Sequence, residues 1–147
     1  MKEIMDYETC QKEHLRQVQP DTDKIQSILK VVKARLKIIP QVQKDEETTS
    51  IIVTDYYEVI KELLTALLLK NGLKSDNHEC LISFFKKNYP KYEYEAHTIH
   101  QLKDIRNRIN YDGLFVKSSY LSQNELEFTH TIELLQELIA TDSSQKE

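Results

Sequence analysis

An all-α fold, an up-and-down bundle of about five to six helices, is what this sequence predicts, and three observations carry the prediction. Apolar residues recur at helical spacing, as in Ile25, Ile28, Leu29, Val32, Leu36 and Ile39. The two glycines, Gly72 and Gly113, each follow a helix-like run closely, where a left-handed stop wants a residue without Cβ. Hairpin signals, such as Asn-Gly between alternating apolar runs, are missing.

At 147 residues, the chain has the length of one domain able to bury a core without staples. Its 39% of hydrophobic residues is too many for a disordered chain. Residues 1–141 are therefore read as a single bundle, and 142–147 as a frayed polar tail. A first helix is expected over about residues 3–18, stopping before Pro20. A second runs from about 22 towards 44, with Pro40 kinking or ending it. That helix carries a second apolar stripe, Val31, Ala34, Ile38 and Val42, so it should touch two neighbours.

The third helix, from 48 or 55 through 71, is the most apolar, with Glu58, Lys61, Glu62 and Thr65 as one narrow polar strip. A fourth should start at Asp76, with Glu79 completing a capping box, and end before Pro90. Residues 91–94 read as a loop. A fifth helix is expected over about 95–111. The last should begin at Ser122, with Glu125 as its capping-box partner and Leu121 and Leu126 as a hydrophobic staple. It carries Phe128, Ile132, Leu135 and Ile139 inward.

The net charge of −4 argues against broad, charge-driven binding to nucleic acid, and DNA is not an expected partner. The basic run from Lys24 to Lys44 alternates with apolar stripes, as on any solvated bundle face, and no short turn sets up a recognition helix. The longest apolar stretch, Ala66-Leu67-Leu68-Leu69, falls far short of a membrane span. The first residues hold no signal-like apolar run, so a cytoplasmic location is expected. Cys10 and Cys80 have no metal-site spacing; a single disulfide is the alternative to free thiols in a reducing compartment, which is the default.

One residue breaks the pattern. On the fifth helix Ile99, Leu102 and Ile109 form the inward stripe, and Arg106 falls within it. A guanidinium cannot shed its charge, and burying it unpaired costs several kcal/mol. It needs a carboxylate, a cleft or an anionic ligand. Asn110 lies one turn on, Asn107 about 100° round, and Tyr111 about 140° round, reaching the same ligand only at a cleft edge or across a subunit interface. The plain alternative is an Arg106 paired with Glu58 or Glu62, serving only to hold the bundle.

The segment Arg106-Asn107-Arg108-Ile109-Asn110-Tyr111-Asp112-Gly113 and the helix Asp55-Tyr56-Tyr57-Glu58-Val59-Ile60-Lys61-Glu62-Leu63-Leu64-Thr65-Ala66-Leu67-Leu68, followed by Gly72 and His78, resemble the HEPN family, the nucleotide-binding domains of higher eukaryotes and prokaryotes. The resemblance covers most of residues 20–141. It implies a homodimer that brings two arginine motifs into one cleft. It also implies either a metal-independent endoribonuclease, often a toxin with an antitoxin partner, or the companion of a small nucleotidyltransferase. No metal or other cofactor is expected. In such nucleases the arginine steadies the scissile phosphate and a histidine moves the 2′-hydroxyl proton. Here Tyr111 stands in the histidine's place and Gly113 where some members carry a modifiable tyrosine. A phenol with an ordinary pKa near ~10 is a poor base at neutral pH but can donate a hydrogen bond or stack.

The ligand-binding set expected is Arg106, Asn107, Asn110, Tyr111 and Glu62, with Arg106 and Tyr111 the catalytic residues of an enzyme. Three functions follow: a dimeric module binding nucleotide or RNA phosphate without cutting it; a metal-independent ribonuclease; and a structural or partner-binding bundle. The first is favoured, because Tyr111 removes the proton-transfer group and leaves the phosphate-binding one.

Overall fold

A computed structural model describes residues 3–141, and the expected polar tail lies outside the described residues. The described residues fold as six helices: α1 Tyr7–Glu13, α2 Thr22–Ile38, α3 Thr49–Lys70, α4 His78–Asn88, α5 Glu93–Asp112 and α6 Ser118–Ala140. Two short strands, β1 Leu15–Gln17 and β2 Leu73–Ser75, pair antiparallel. The all-α bundle read from the sequence is therefore the fold, with this ribbon added at one edge. Among the described residues no helix is long and apolar enough to cross a membrane.

The bundle is organised around α3, which packs on α2, α4, α5 and α6. Its side chains Ile52, Ile60, Leu63, Leu64 and Leu67 are fully buried, each contributing on the order of 1.5–3 kcal/mol from burial alone. Phe84 and Phe85 of α4, Ile99 and Leu102 of α5, and Phe128 and Leu135 of α6 complete the core. Both glycine stops are as expected: Gly72 and Gly113 take φ of 72° and 71°. The Leu114 N–H returns to the Arg108 carbonyl at 3.0 Å and seals the end of α5.

Several boundaries differ from the sequence reading, each for a tertiary reason. The helix expected over 3–18 is cut to α1, because residues 15–17 give their backbone bonds to β2, in the register Leu15↔Ser75 and Gln17↔Leu73. Cys10 and Cys80, expected free by default, form a disulfide that ties α1 to α4, with Cα atoms 5.5 Å apart. Pro40 ends α2, which closes in a 3₁₀ turn, Ile39–Gln41. The second stripe of α2 is mostly open, with Val31 and Ile38 45% and 56% exposed, because this helix lies at the rim and packs on α3; of that stripe, Val42, past the helix end, packs against the core.

Helix α4 starts two residues later than expected. Asn77, not Asp76, caps it by accepting a bond from the Glu79 N–H at 2.8 Å. Residues 91–94 are not an open loop, since a 3₁₀ turn at Pro90–Tyr92 leads straight into α5. Helix α6 begins a full turn before Ser122, so the capping box and staple expected there do not form. Glu46, from the α2–α3 connection, accepts from the Ser118 N–H at 3.2 Å, doing the capping from a distant part of the chain. Glu125 instead bonds Tyr56 at 2.7 Å and Lys44 at 2.6 Å, and Leu126 is 81% exposed.

Candidate functional site

Arg106 sits where the inward stripe of α5 leaves the core and meets α3 and the start of α4. Ile99 and Leu102 are buried, whereas the Arg106 side chain retains 16% of its exposure. Its Nη2 lies 3.1 Å from Glu58 Oε1, its Nη1 donates to Asn107 Oδ1 at 3.1 Å, and its guanidinium lies 5.4 Å from the centre of the Tyr57 ring. The Nε–H is buried and, among the described residues, has no hydrogen-bond partner. The carboxylate partner foreseen for a purely structural arginine is thus present, but it leaves one N–H of the fork unspent.

Glu58 is not committed to Arg106 alone. Lys61 lies 2.7 Å from its other oxygen, so one carboxylate serves two cations. Burial pushes the Glu58 carboxyl up, but the bond and charge of Lys61 and the charge of Arg106 outweigh it and hold the group below the usual carboxylate range. A third cation, Lys103, is buried at 8% exposure and lies 3.3 Å from Glu79.

Beside this cluster is an open pocket of about 450 Å³, lined by Tyr57, His78, Lys103, Arg106, Asn107 and Tyr111, with residues 76, 77 and 79 at its edge. The N-terminus of α4 opens onto it, adding the positive end of a helix dipole, although Asn77 already takes the Glu79 and Cys80 N–H groups. Asp76, at the mouth, is hydrogen-bonded to His14 at 2.7 Å. In the lining, Arg106 and Lys103 face Asp76 and Glu79, with Lys61 and Glu58 paired behind them, so the formal charges balance, and the helix N-terminus and the Arg106 guanidinium are what the pocket offers an anion. A groove of about 510 Å³ between α5 and α6 is different in kind: Glu95, Glu127 and Glu133 line it and would repel one.

Of the residues singled out in the sequence, the pocket brings together Arg106, Asn107 and Tyr111. Asn110 is exposed and is not among the lining residues. Glu62, one turn on from Glu58 along the same strip of α3, is held instead by Arg35 of α2 at 2.7 Å and does not line the pocket. Tyr57, Lys103 and His78 were not in the expected set. Tyr57 and Lys103 read as ordinary members of their helices, and His78 belongs to another element, 28 positions before Arg106, so no local pattern linked them.

His78 changes the chemistry available. Burial, then the charges of Lys61 and Arg106, lower its pKa from 6.5, so the ring is neutral at neutral pH and can accept a proton. The sign of the stability effect follows. Above the ordinary pKa both folded and unfolded chains carry a neutral ring. As pH falls through 6.5, the unfolded chain takes a proton that the folded site resists, and stability drops until the lowered pKa is passed. The His78→Gln variant is expected to lose less stability than wild type between about pH 7.5 and about pH 5.5, as read by urea unfolding. Equal losses in the two proteins would contradict this.

No protein-family model, curated protein or solved structure matches the chain.

Proposed function

We propose that the chain is a nucleotide- or RNA-phosphate-binding module that captures a phosphate at Arg106. The observation that carries this reading is that Arg106, only partly spent on Glu58, lines an open pocket, with Lys103 and the start of α4 on the same rim. An arginine kept only to brace the bundle would be matched by its carboxylate and covered. The Tyr57 ring lies 5.4 Å from the guanidinium, and Tyr111, a lining residue 76% exposed, is placed to stack on a base. The resemblance to the HEPN family points the same way. With it come a homodimer, a toxin–antitoxin or nucleotidyltransferase partner, and a cytoplasmic location as further parts of the proposal.

The test is binding of AMP and of a short single-stranded RNA, by calorimetry, to wild type and to the Arg106→Gln variant. Loss of charge-assisted bonds to phosphate is expected to weaken both ligands by roughly 10- to 100-fold. Wild-type affinity in a correctly folded Arg106→Gln protein would end the reading.

A second reading, a metal-independent ribonuclease, rests on His78. It brings into the Arg106 pocket the neutral imidazole that Tyr111 does not supply. Incubation of RNA in EDTA with wild type, Arg106→Ala and His78→Asn decides it. Cleavage by wild type alone sustains the enzyme, and no cleavage by any of the three removes it.

A further inference from the structure

The Arg106 pocket does not end at His78. The imidazole also forms one wall of a second cavity, of about 120 Å³, rimmed by Lys24 of α2, Lys61 of α3 and Lys74 of β2 over a floor that includes Leu68 and Leu69. Among the described residues no carboxylate lines this cavity. Among the same residues, neither Lys24 nor Lys74 forms an ion pair, whereas Lys61 is held by Glu58.

The ribbon beside it carries an independent sign of affinity for an anion. In the β1–β2 register Arg16 stands directly opposite Lys74. Side chains paired in this way share one face of the sheet, and like charges placed so are destabilising. No acidic side chain forms an ion pair with either of them among the described residues. An anion lying in the cavity that Lys74 lines would relieve this repulsion.

We propose that the site is bipartite: a phosphate at Arg106 is continued past His78 by a second one, held by Lys24 and Lys74 with Arg16 opposite Lys74 in the ribbon, so the ligand carries at least two phosphate groups in sequence. This rests on the reading of Arg106 as a phosphate site and adds to it the ligand's minimum length. Two sources share that chemistry, the diphosphate of a free nucleotide and the backbone of a single strand. His78 stands between the subsites as a neutral wall that adds no repulsion to the cations on either side.

The experiment measures binding of inorganic phosphate, pyrophosphate, ADP and a single-stranded RNA tetranucleotide to the full chain. The proteins are wild type, Arg106→Gln and the Lys24→Gln, Lys74→Gln double variant. Wild type is expected to bind pyrophosphate about tenfold more tightly than phosphate. The double variant should lose that preference while keeping its phosphate affinity within about twofold, and Arg106→Gln should weaken binding of both anions. ADP ahead of the tetranucleotide identifies a free nucleotide as the source, and the reverse order a strand; either sustains the bipartite site. For a strand, the double variant should also reduce the salt dependence of log K by about 0.7, the share of the one phosphate no longer neutralised.

Both lysines are exposed and one faces a like charge, so the double variant should be no less stable than wild type. Equal affinity of wild type for phosphate and pyrophosphate, or an undiminished preference in the double variant, overturns the proposal. If Arg106→Gln leaves every affinity unchanged, it is the parent reading that fails.

Discussion

Replacing both cysteines, Cys10→Ser with Cys80→Ser, is expected to lower the stability of the fold by about 4 kcal/mol. The disulfide spans 70 positions, and cross-linking so long a loop removes a large share of the unfolded chain's freedom. The native state has little to set against that loss at this edge. Helix α1 has seven residues, too few to be stable alone, and β1 offers only a three-residue ladder. Without the bridge, α1 and β1 should fray from α4 and β2 before the bundle opens. Urea unfolding of the double variant, and of wild type under strong reductant, measures the loss. An unchanged midpoint in both would show that the bridge adds nothing. The result bears on location too: in a reducing cytoplasm the bond would be labile, and the reduced form is the one that must function there.

The Glu58→Gln variant is expected to move stability and binding in opposite directions. Its carboxylate lies between Arg106 and Lys61, at 3.1 and 2.7 Å, and replacing it by an amide leaves two cations facing one another. Breaking a fully buried pair costs about 3–5 kcal/mol; with the Glu58 side chain still 23% exposed, a loss of about 2 kcal/mol is expected. Anion affinity at the pocket should meanwhile rise severalfold, because an internal competitor for Arg106 has gone. Unfolding in urea and titration with pyrophosphate read the two effects separately. A drop in stability with no gain in affinity would mean that Glu58 and Arg106 are a brace and nothing more. That outcome would leave the third reading, a structural bundle, in possession of the site.

Much of the candidate site was visible in the sequence because the oddity was local. A permanent cation among Ile99, Leu102 and Ile109 is evident from helical spacing alone, and so is the need for a carboxylate or a ligand. Its neighbours Asn107 and Tyr111 were within reach of the same reasoning, since they share its helix. Asn110 was misplaced because a position one turn on follows the stripe in projection but, near the helix end, points to solvent. Glu62 was misplaced because two carboxylates on one polar strip look equivalent until α2 and α5 are set on either side of it. Arg35 then takes Glu62, and Arg106 takes Glu58.

Helix number and order, the glycine stops, the end of α2 at Pro40 and the apolar character of α3 are properties of contiguous residues. Periodicity, φ preference and a missing N–H act over a turn or less, so the chain reveals them without a fold. The pairing of Cys10 with Cys80, the capping of α6 by Glu46, the shortening of α1 by β2 and the meeting of His78, Lys103 and Arg106 are of another kind. Each joins parts of the chain that only packing brings near, and no short-range preference encodes a distance across the core. That is why the cation was legible from its own helix, while the pocket around it, and the neutral imidazole within it, came from three helices docking together.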